Sequence, residues 1–163
     1  MPGPLDQESV IRVRETLARL GATGEIRHLD ESARTAKEAA DALGIEVGQI
    51  ASSLIFLANS RPVLVIASGA HRVDTERLSR VLSGAIIDKA NATGVRIATG
   101  FAIGGVAPVG HPEPLRTVVD TALSQFETVW AAAGHPHCVF PTTYDELLRI
   151  TGGEAAEVGE EPK

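Results

Sequence analysis

The sequence predicts an α+β protein in which helices pack outside a mixed β-sheet. Helical segments alternate along the chain with short β-rich runs, and two of those runs, 51–58 and 62–67, are separated by only three residues, Asn59-Ser60-Arg61. A short polar break between two apolar runs predicts an antiparallel hairpin. Such a hairpin is inconsistent with a uniform βαβ array and favours a mixed sheet. A length of 163 residues suits one domain.

The helices are indicated by apolar spacing and by capping residues. Val10, Val13 and Leu17 recur at steps of three and four before Gly21, as in an amphipathic helix that ends at a glycine. Thr35 and Glu38 have the spacing of a capping box. The predicted helices are 6–20, 35–43, 75–82, 91–99 and 143–150.

The remaining β-rich runs complete the predicted sheet. The predicted strands are 25–29, 51–58, 62–67, 85–88, 115–119, 128–133 and 138–140. After them, residues 153–163 are acidic and contain alanine and glycine. This composition is typical of disorder, so we expect a domain over residues 1–152 followed by a disordered acidic tail over 153–163.

Composition and charge exclude several classes of function. Hydrophobic residues make up 44% of the chain and aromatic residues only 4%, so the core is expected to consist of alanine, valine, isoleucine and leucine. A formal net charge of −6 argues against stable DNA binding. Arg12, Arg14 and Arg19 could still offer a local positive face to the end of an RNA, or they could form an ordinary solvated helix face.

The chain also lacks the marks of a membrane or secreted protein. No window approaches the roughly 20 apolar residues of a membrane span, and the first residues do not resemble a signal peptide. The single cysteine, Cys138, rules out an internal disulfide and agrees with a reducing compartment. We therefore expect a cytoplasmic protein without a membrane partner.

The segment from Gly104 to His111 is the leading candidate for the functional site. It contains Gly104, Gly105, Gly110, a proline and a histidine within eight residues. Adjacent glycines let backbone N–H groups converge on a ligand, and such a concavity attracts negative charge. The alternative is a tight turn between two strands, since glycine and proline are common turn residues. Spacing alone leaves both interpretations open.

Several ordered segments together resemble the YbaK/prolyl-tRNA synthetase-associated editing family. The resemblance spans residues 35–152. Its segments are Thr35-Ala36 with Ala39-Ala40, Leu43-Gly44, Gln49 to Phe56, Gly-Gly-Val-x-Pro-x-Gly-His from Gly104, Val118-Val119-Asp120, Trp130 to Gly134 and Tyr144 to Leu148. The family hydrolyses the ester between a wrong amino acid and its tRNA. The resemblance therefore implies a strongly curved, partly barrel-like sheet, a deacylase activity without a cofactor, and the acceptor end of an aminoacyl-tRNA as partner.

The resemblance also implies roles for individual residues. Gly104, Gly105 and Pro108, with Val106 between them, match the family's loop around the aminoacyl group and the terminal adenosine. The N–H groups of such a loop can stabilise the oxyanion of ester hydrolysis. By the same resemblance, the two residues Gly134 and His135 lie beside the aminoacyl pocket.

His111 is a further candidate in the glycine-rich segment. Histidine changes charge near neutral pH, so His111 could hold water or ligand, or it could be an ordinary surface histidine.

One position departs from the family pattern. Many members carry a lysine where this chain has Ser52, which is followed by Ser53. A serine is uncharged and cannot attract a developing oxyanion as an ammonium does. Three explanations stay open: the ribose hydroxyl and the loop N–H groups suffice, another cation such as Arg72 or Lys89 reaches the site, or the protein binds aminoacyl-tRNA or a synthetase without hydrolysis. In the first two, Ser52 and Ser53 line the catalytic pocket.

Other chemistries are disfavoured by spacing. His135, His137 and Cys138, with His111, invite a zinc site. His137 and Cys138, however, would point to opposite faces of a strand, and neither a Cys-x-x-Cys nor a His-Glu-x-x-His pattern is present. The Gly-x-Ser-x-Gly, P-loop and dinucleotide-binding patterns are missing as well. We expect neither a metal nor an organic cofactor.

Overall fold

The computed structural model describes residues 4–29 and 35–160, and it contains helices and strands in alternation. The helices are α1 (Glu8–Arg19), α2 (Ala36–Leu43), α3 (Thr75–Val81), α4 (Ala92–Thr99) and α5 (Tyr144–Thr151). The strands are β1 (Arg27–His28), β2 (Ile50–Ala58), β3 (Arg61–Ser68), β4 (Ile87–Lys89), β5 (Arg116–Asp120), β6 (Val129–His135), β7 (Cys138–Thr142) and β8 (Glu154–Ala156). No helix in the described part of the chain is both long enough and apolar enough to cross a membrane.

The strands form one mixed sheet, which confirms the predicted fold class. Its order is β1-β7-β6-β2-β3-β5-β8, with β4 paired to β2 outside this path. The predicted hairpin between β2 and β3 is antiparallel, whereas β2–β6, β3–β5 and β5–β8 are parallel pairs. The path runs from β1 to β8 without closing, so the sheet is open rather than a complete barrel.

Local capping explains where the helices begin and end. The Thr35 hydroxyl accepts from the Glu38 N–H, and the Glu38 carboxylate accepts from the Thr35 N–H, so the capping box of α2 is confirmed. Asn91 caps α4, and Gly100 ends it with a φ of +78°. Glycine adopts this left-handed conformation without steric cost, which makes it a common helix terminator.

The two faces of the sheet bury different groups of side chains. The principal core includes Val10 and Val13 of α1 with Leu64, Phe101 and Phe140. A second cluster lies under α3, and a third lies under α2. Neighbouring residues of one strand alternate between these clusters because strand side chains point to opposite faces.

Asp120, at the end of β5, is a fully buried carboxylate. It accepts hydrogen bonds from the backbone N–H groups of Ser68 and Ala122, each at 3.0 Å. The His71 Nε2 lies 2.5 Å from the same carboxylate. These contacts join the end of β3 and the segment after it to the end of β5, so Asp120 is a structural anchor.

The C-terminal segment differs from the disordered tail that its composition suggested. Strand β8 pairs in parallel with β5, and Val158 is fully buried in the second cluster. The Val158 carbonyl also accepts from the Asp74 N–H at 2.7 Å. Burial of one valine and pairing at a sheet edge therefore order residues 154–159, whereas residues 161–163 lie outside the described part of the chain.

Candidate functional site

The glycine-rich segment connects α4 to β5, so it is not a tight turn between two strands. We call residues 101–111 the glycine loop. Gly104 and Gly110 adopt φ angles of +89° and +86°, which other residues rarely adopt. Between them, Val106 and Ala107 are buried in the principal core, while Gly104 is exposed. The apolar side chains thus anchor the loop in the core, and its exposed part is residues 102–104.

Some backbone N–H groups of this loop have no acceptor within the described residues. The Gly105 N–H donates to the Ala102 carbonyl at 2.9 Å, which forms a turn at the start of the loop. For the exposed N–H of Gly104, and for the buried N–H groups of Val106 and Ala107, no hydrogen-bond acceptor is found in the described part of the chain. Fixed N–H groups without partners are suited to bind an anion or a developing oxyanion.

The loop packs against the hairpin formed by β6 and β7. A Cβ added to Gly105 would lie 3.0 Å from the His135 Cα, and one added to Gly104 would lie 3.8 Å from Pro136. Any larger residue at position 105 would have to displace the His135 backbone by a few tenths of an ångström. The structure thus brings Gly104, Gly105 and His135 together.

The hairpin is held in place by α1. Gly134 adopts a φ of +94°, and an added Cβ there would lie 2.7 Å from the Ser9 carbonyl oxygen. The Ser9 hydroxyl donates to the Gly134 carbonyl at 2.8 Å. This contact fixes the backbone immediately before His135.

His135 presents a neutral ring at physiological pH. Its Nδ1 accepts from the His137 N–H at 3.0 Å, which leaves the ring proton of the neutral form on Nε2. Burial is the main cause that lowers the pKa of His135, and the nearby His137 and His28 lower it further. The Nε2–H of His135 is therefore available as a hydrogen-bond donor.

The two serines of β2 face opposite sides of the sheet. Ser53 pairs with Ile66, whose side chain belongs to the principal core together with the glycine loop. Ser52 pairs with Ala67, which belongs to the cluster under α3. The Ser53 hydroxyl is buried and has no hydrogen-bond partner in the described residues. Ser53 thus faces the side of the sheet that carries the loop, and Ser52 does not.

The sheet opens next to these serines. Strand β2 pairs with β6 only through Ile50 and Ala51, and it pairs with β4 only from Phe56 onward. Within the described residues, the edge of β2 between these two pairings has no strand beside it. Backbone groups on an unpaired edge can bind a ligand, because their hydrogen bonds are unused.

His111 braces the loop from within. Its Nε2 lies 2.8 Å from the Ala107 carbonyl oxygen, and its ring packs edge-on against Phe101 with centroids 6.1 Å apart. Burial lowers the pKa of His111 and outweighs the hydrogen bond to Ala107, which raises it. A neutral His111 therefore donates to the loop backbone.

Pro108 and His111 also line a cleft of about 250 Å³, together with residues of α1 and α5. Gly104, Gly105 and His135 do not line this cleft. The structure therefore separates Pro108 and His111 from the contact between the loop and the hairpin.

The structure brings a different cation to the loop from those considered in the sequence. Arg72 and Lys89 are both exposed, and within the described residues neither makes a side-chain hydrogen bond or an ion pair with the glycine loop. Arg12 of α1 instead contacts the loop, since its Nη2 donates to the Gly100 carbonyl at 3.3 Å. The sequence offers one indication of this contact, which is that Arg12 lies next to Val13, at the border of the apolar face of α1.

The thiol and imidazole groups do not form a metal centre. In residues 4–29 and 35–160, no three histidine, cysteine, aspartate or glutamate side chains are placed to hold a metal ion. Cys138 is fully buried, and burial raises the pKa of its thiol to about 11. A thiol in this setting is a poor nucleophile.

Comparisons with known proteins agree on one family. Residues 30–150 match the family described as the aminoacyl-tRNA editing domain. A structure described as a candidate trans-editing enzyme for prolyl-tRNA synthetase is 42% identical, with a TM-score of 0.90, over 95% of this chain and 99% of that one.

Two curated relatives extend the comparison. EbsC of Enterococcus faecalis, named as a candidate Cys-tRNA(Pro)/Cys-tRNA(Cys) deacylase, is 24% identical over 76% of both chains. The proline–tRNA ligase of Bacillus licheniformis is 34% identical over 75% of this chain, which spans 21% of that protein.

Proposed function

Because the chain belongs to the aminoacyl-tRNA editing domain family, we propose that it is a trans-acting deacylase for a small mischarged amino acid on tRNA. The partner is the acceptor end of an aminoacyl-tRNA. The observation that carries this proposal is the loop itself: the N–H group of the exposed Gly104 has no acceptor in the described residues, and the loop backbone contacts His135.

The chemistry of ester cleavage explains why such a loop is suitable. Water attacks the ester carbonyl, the carbonyl oxygen becomes an oxyanion, and the ribose oxygen then leaves. Each well-placed donor to the oxyanion is typically worth about 3 to 4 kcal/mol in the transition state. In the proposed reaction, the loop N–H groups are these donors. Buried Val106 and Ala107 side chains keep the donors rigid.

Two neighbouring groups would complete the site. Ser53 has a buried hydroxyl without a partner on the face of the sheet that carries the loop, so it is proposed to bind the substrate. The neutral His135, with its free Nε2–H, is proposed to contact the aminoacyl group next to Gly134. A compact site of this kind would favour a small amino acid.

A panel of mischarged tRNAs tests the proposal. The purified chain is incubated with each aminoacyl-tRNA, and ester loss is compared with loss in buffer. We expect acceleration for at least one small amino acid, and we expect Ser53→Ala to reduce it while Ser124→Ala, an exposed serine outside the site, does not. Ester loss equal to the buffer rate across the whole panel would refute the deacylase function.

A second candidate function is favoured by one position. The family resemblance places a lysine where this chain has Ser52, and a serine cannot supply a positive charge. The chain would then bind aminoacyl-tRNA, or a synthetase, without turnover. Turnover and binding assays separate the two functions: binding of aminoacyl-tRNA with ester loss at the buffer rate supports the binding function, whereas accelerated ester loss supports the deacylase.

A further inference from the structure

One arginine outside the residues matched by the family contacts the residue before the glycine loop and lies close to the end of the loop. Arg12 lies on α1, whereas the family match begins at residue 30. Its Nη2 donates to the carbonyl of Gly100, directly before the loop, at 3.3 Å. Its Cγ lies 3.9 Å from the position of a Cβ on Gly110, near the end of the loop. The two ends of the loop are thus joined through one side chain.

The same guanidinium connects the loop to the hairpin that carries His135. The Arg12 Cζ lies 4.7 Å from the centroid of the Phe101 ring, within the range of a cation–π contact. Phe101 is 1% exposed, and its Cε1 lies 3.2 Å from the position of a Cβ on Gly134. Movement of Arg12 would therefore be transmitted through Phe101 to the backbone next to His135.

The contact between Arg12 and the glycine loop includes a buried donor without a hydrogen-bond acceptor in the described residues. The Nε of Arg12 is buried, and in the described residues it has no hydrogen-bond partner. A buried donor without an acceptor is destabilising, so native structures contain few of them. Stability of α1 alone would not select this arrangement, which suggests that the contact serves the loop.

We propose that Arg12 is a positioning residue that holds the glycine loop against the Gly134–His135 hairpin. Its role in catalysis rests on the deacylase function proposed above, while its role in ordering the loop does not. Arg12 does not replace the family lysine, since it acts through Gly100, Phe101 and Gly110 rather than on the substrate. The alternative is that Arg12 belongs to a positive helix face that binds RNA directly.

Amide hydrogen exchange tests the ordering of the loop in the free protein. The variants are Arg12→Gln and Arg12→Lys, and the matched control is Arg14→Gln, because Arg14 is exposed and donates to Leu5 at 3.0 Å. We expect the amides of residues 102–107, 109 and 110 to exchange faster in Arg12→Gln, to a smaller extent in Arg12→Lys, and at the original rate in Arg14→Gln. If Arg12→Gln fails to fold, Arg12→Lys alone decides. Unchanged exchange in the folded Arg12 variants would overturn the proposal.

Kinetics separate positioning from RNA binding. Small errors in placing reactive groups typically cost up to about 100-fold in rate, so we expect Arg12→Gln to lower kcat by about 10- to 100-fold with KM for tRNA within about twofold. Arg12→Lys should recover part of kcat. A rise in KM shared by Arg12→Gln and Arg14→Gln, with kcat unchanged, would support the RNA-binding face and refute positioning. Absence of activity in the unmodified chain refutes the proposed function instead, and the exchange experiment still decides the role of Arg12.

Discussion

Substitution of Gly105 by alanine tests whether close contact between the loop and the hairpin is required. The added Cβ would lie 3.0, 3.1 and 3.1 Å from the Cα, C and N atoms of His135, whereas ordinary contacts are 3.4–4 Å. These atoms are backbone and cannot rotate away, so the loop must move by a few tenths of an ångström. We expect a loss of about tenfold in deacylation rate, since misplacement by about 1 Å can cost about 100-fold.

The same substitution should cost some stability. Overpacking of a close contact typically destabilises by about 1–3 kcal/mol, which corresponds to a decrease of about 2–10 °C in Tm for a chain of this size. Gly44→Ala is the matched control, because Gly44 has a φ of +70° and open space around it. It should lower Tm without lowering the deacylation rate. Full activity of a folded Gly105→Ala variant would refute the requirement for this contact.

Three further predictions concern buried titratable groups. Asp120→Ala should destabilise the fold by about 3–5 kcal/mol in urea denaturation, because the three groups that contact the Asp120 carboxylate lose a buried acceptor; a change below about 1 kcal/mol would contradict the anchor role. The pKa of His111 is lower in the folded protein than its ordinary value of 6.5, so as the pH decreases below 6.5 the unfolded chain binds a proton more readily than the folded one. The free energy of unfolding should therefore decrease more steeply with decreasing pH in the original protein than in His111→Gln; equal slopes would contradict this. Cys138, with a pKa of about 11, should react with iodoacetamide at pH 8 more than about 100-fold slower than in the urea-unfolded chain; comparable rates would show that the thiol is accessible.

Most of the fold could be predicted because its signals are local. The hairpin of β2 and β3 depends on a short polar break. Helices α2 and α4 each begin at a side chain that accepts a hydrogen bond from a backbone N–H three residues later, and each ends at a single glycine. The position of β4 was less accurate, since residues 85–88 were predicted and Ile87–Lys89 is observed. Here the Asn59 side chain accepts from the Ile86 N–H, a contact across 27 positions that local patterns do not contain.

The candidate site was predicted in part for the same reason. Glycines in the loop and in the hairpin mark close approaches of backbone, and Gly105 and Gly134 both have such neighbours. Strand alternation implies that Ser52 and Ser53 face opposite sides, but the register with β3 decides which side is the core. The contact of Arg12 with Gly100 spans 88 positions and depends on how α1 packs. No sequence pattern encodes that distance.

The pairing of β8 has a consequence for synthesis of the protein on the ribosome. Val63, Val65 and Leu78 share a cluster with Val158, so this part of the core stays incomplete until residues 154–158 have left the exit tunnel. Until then, the nascent chain exposes the outer edge of β5. An exposed strand edge can pair with another chain. Emergence of β8 from the ribosome, rather than formation of the loop and hairpin, is therefore the step that covers this edge of the sheet.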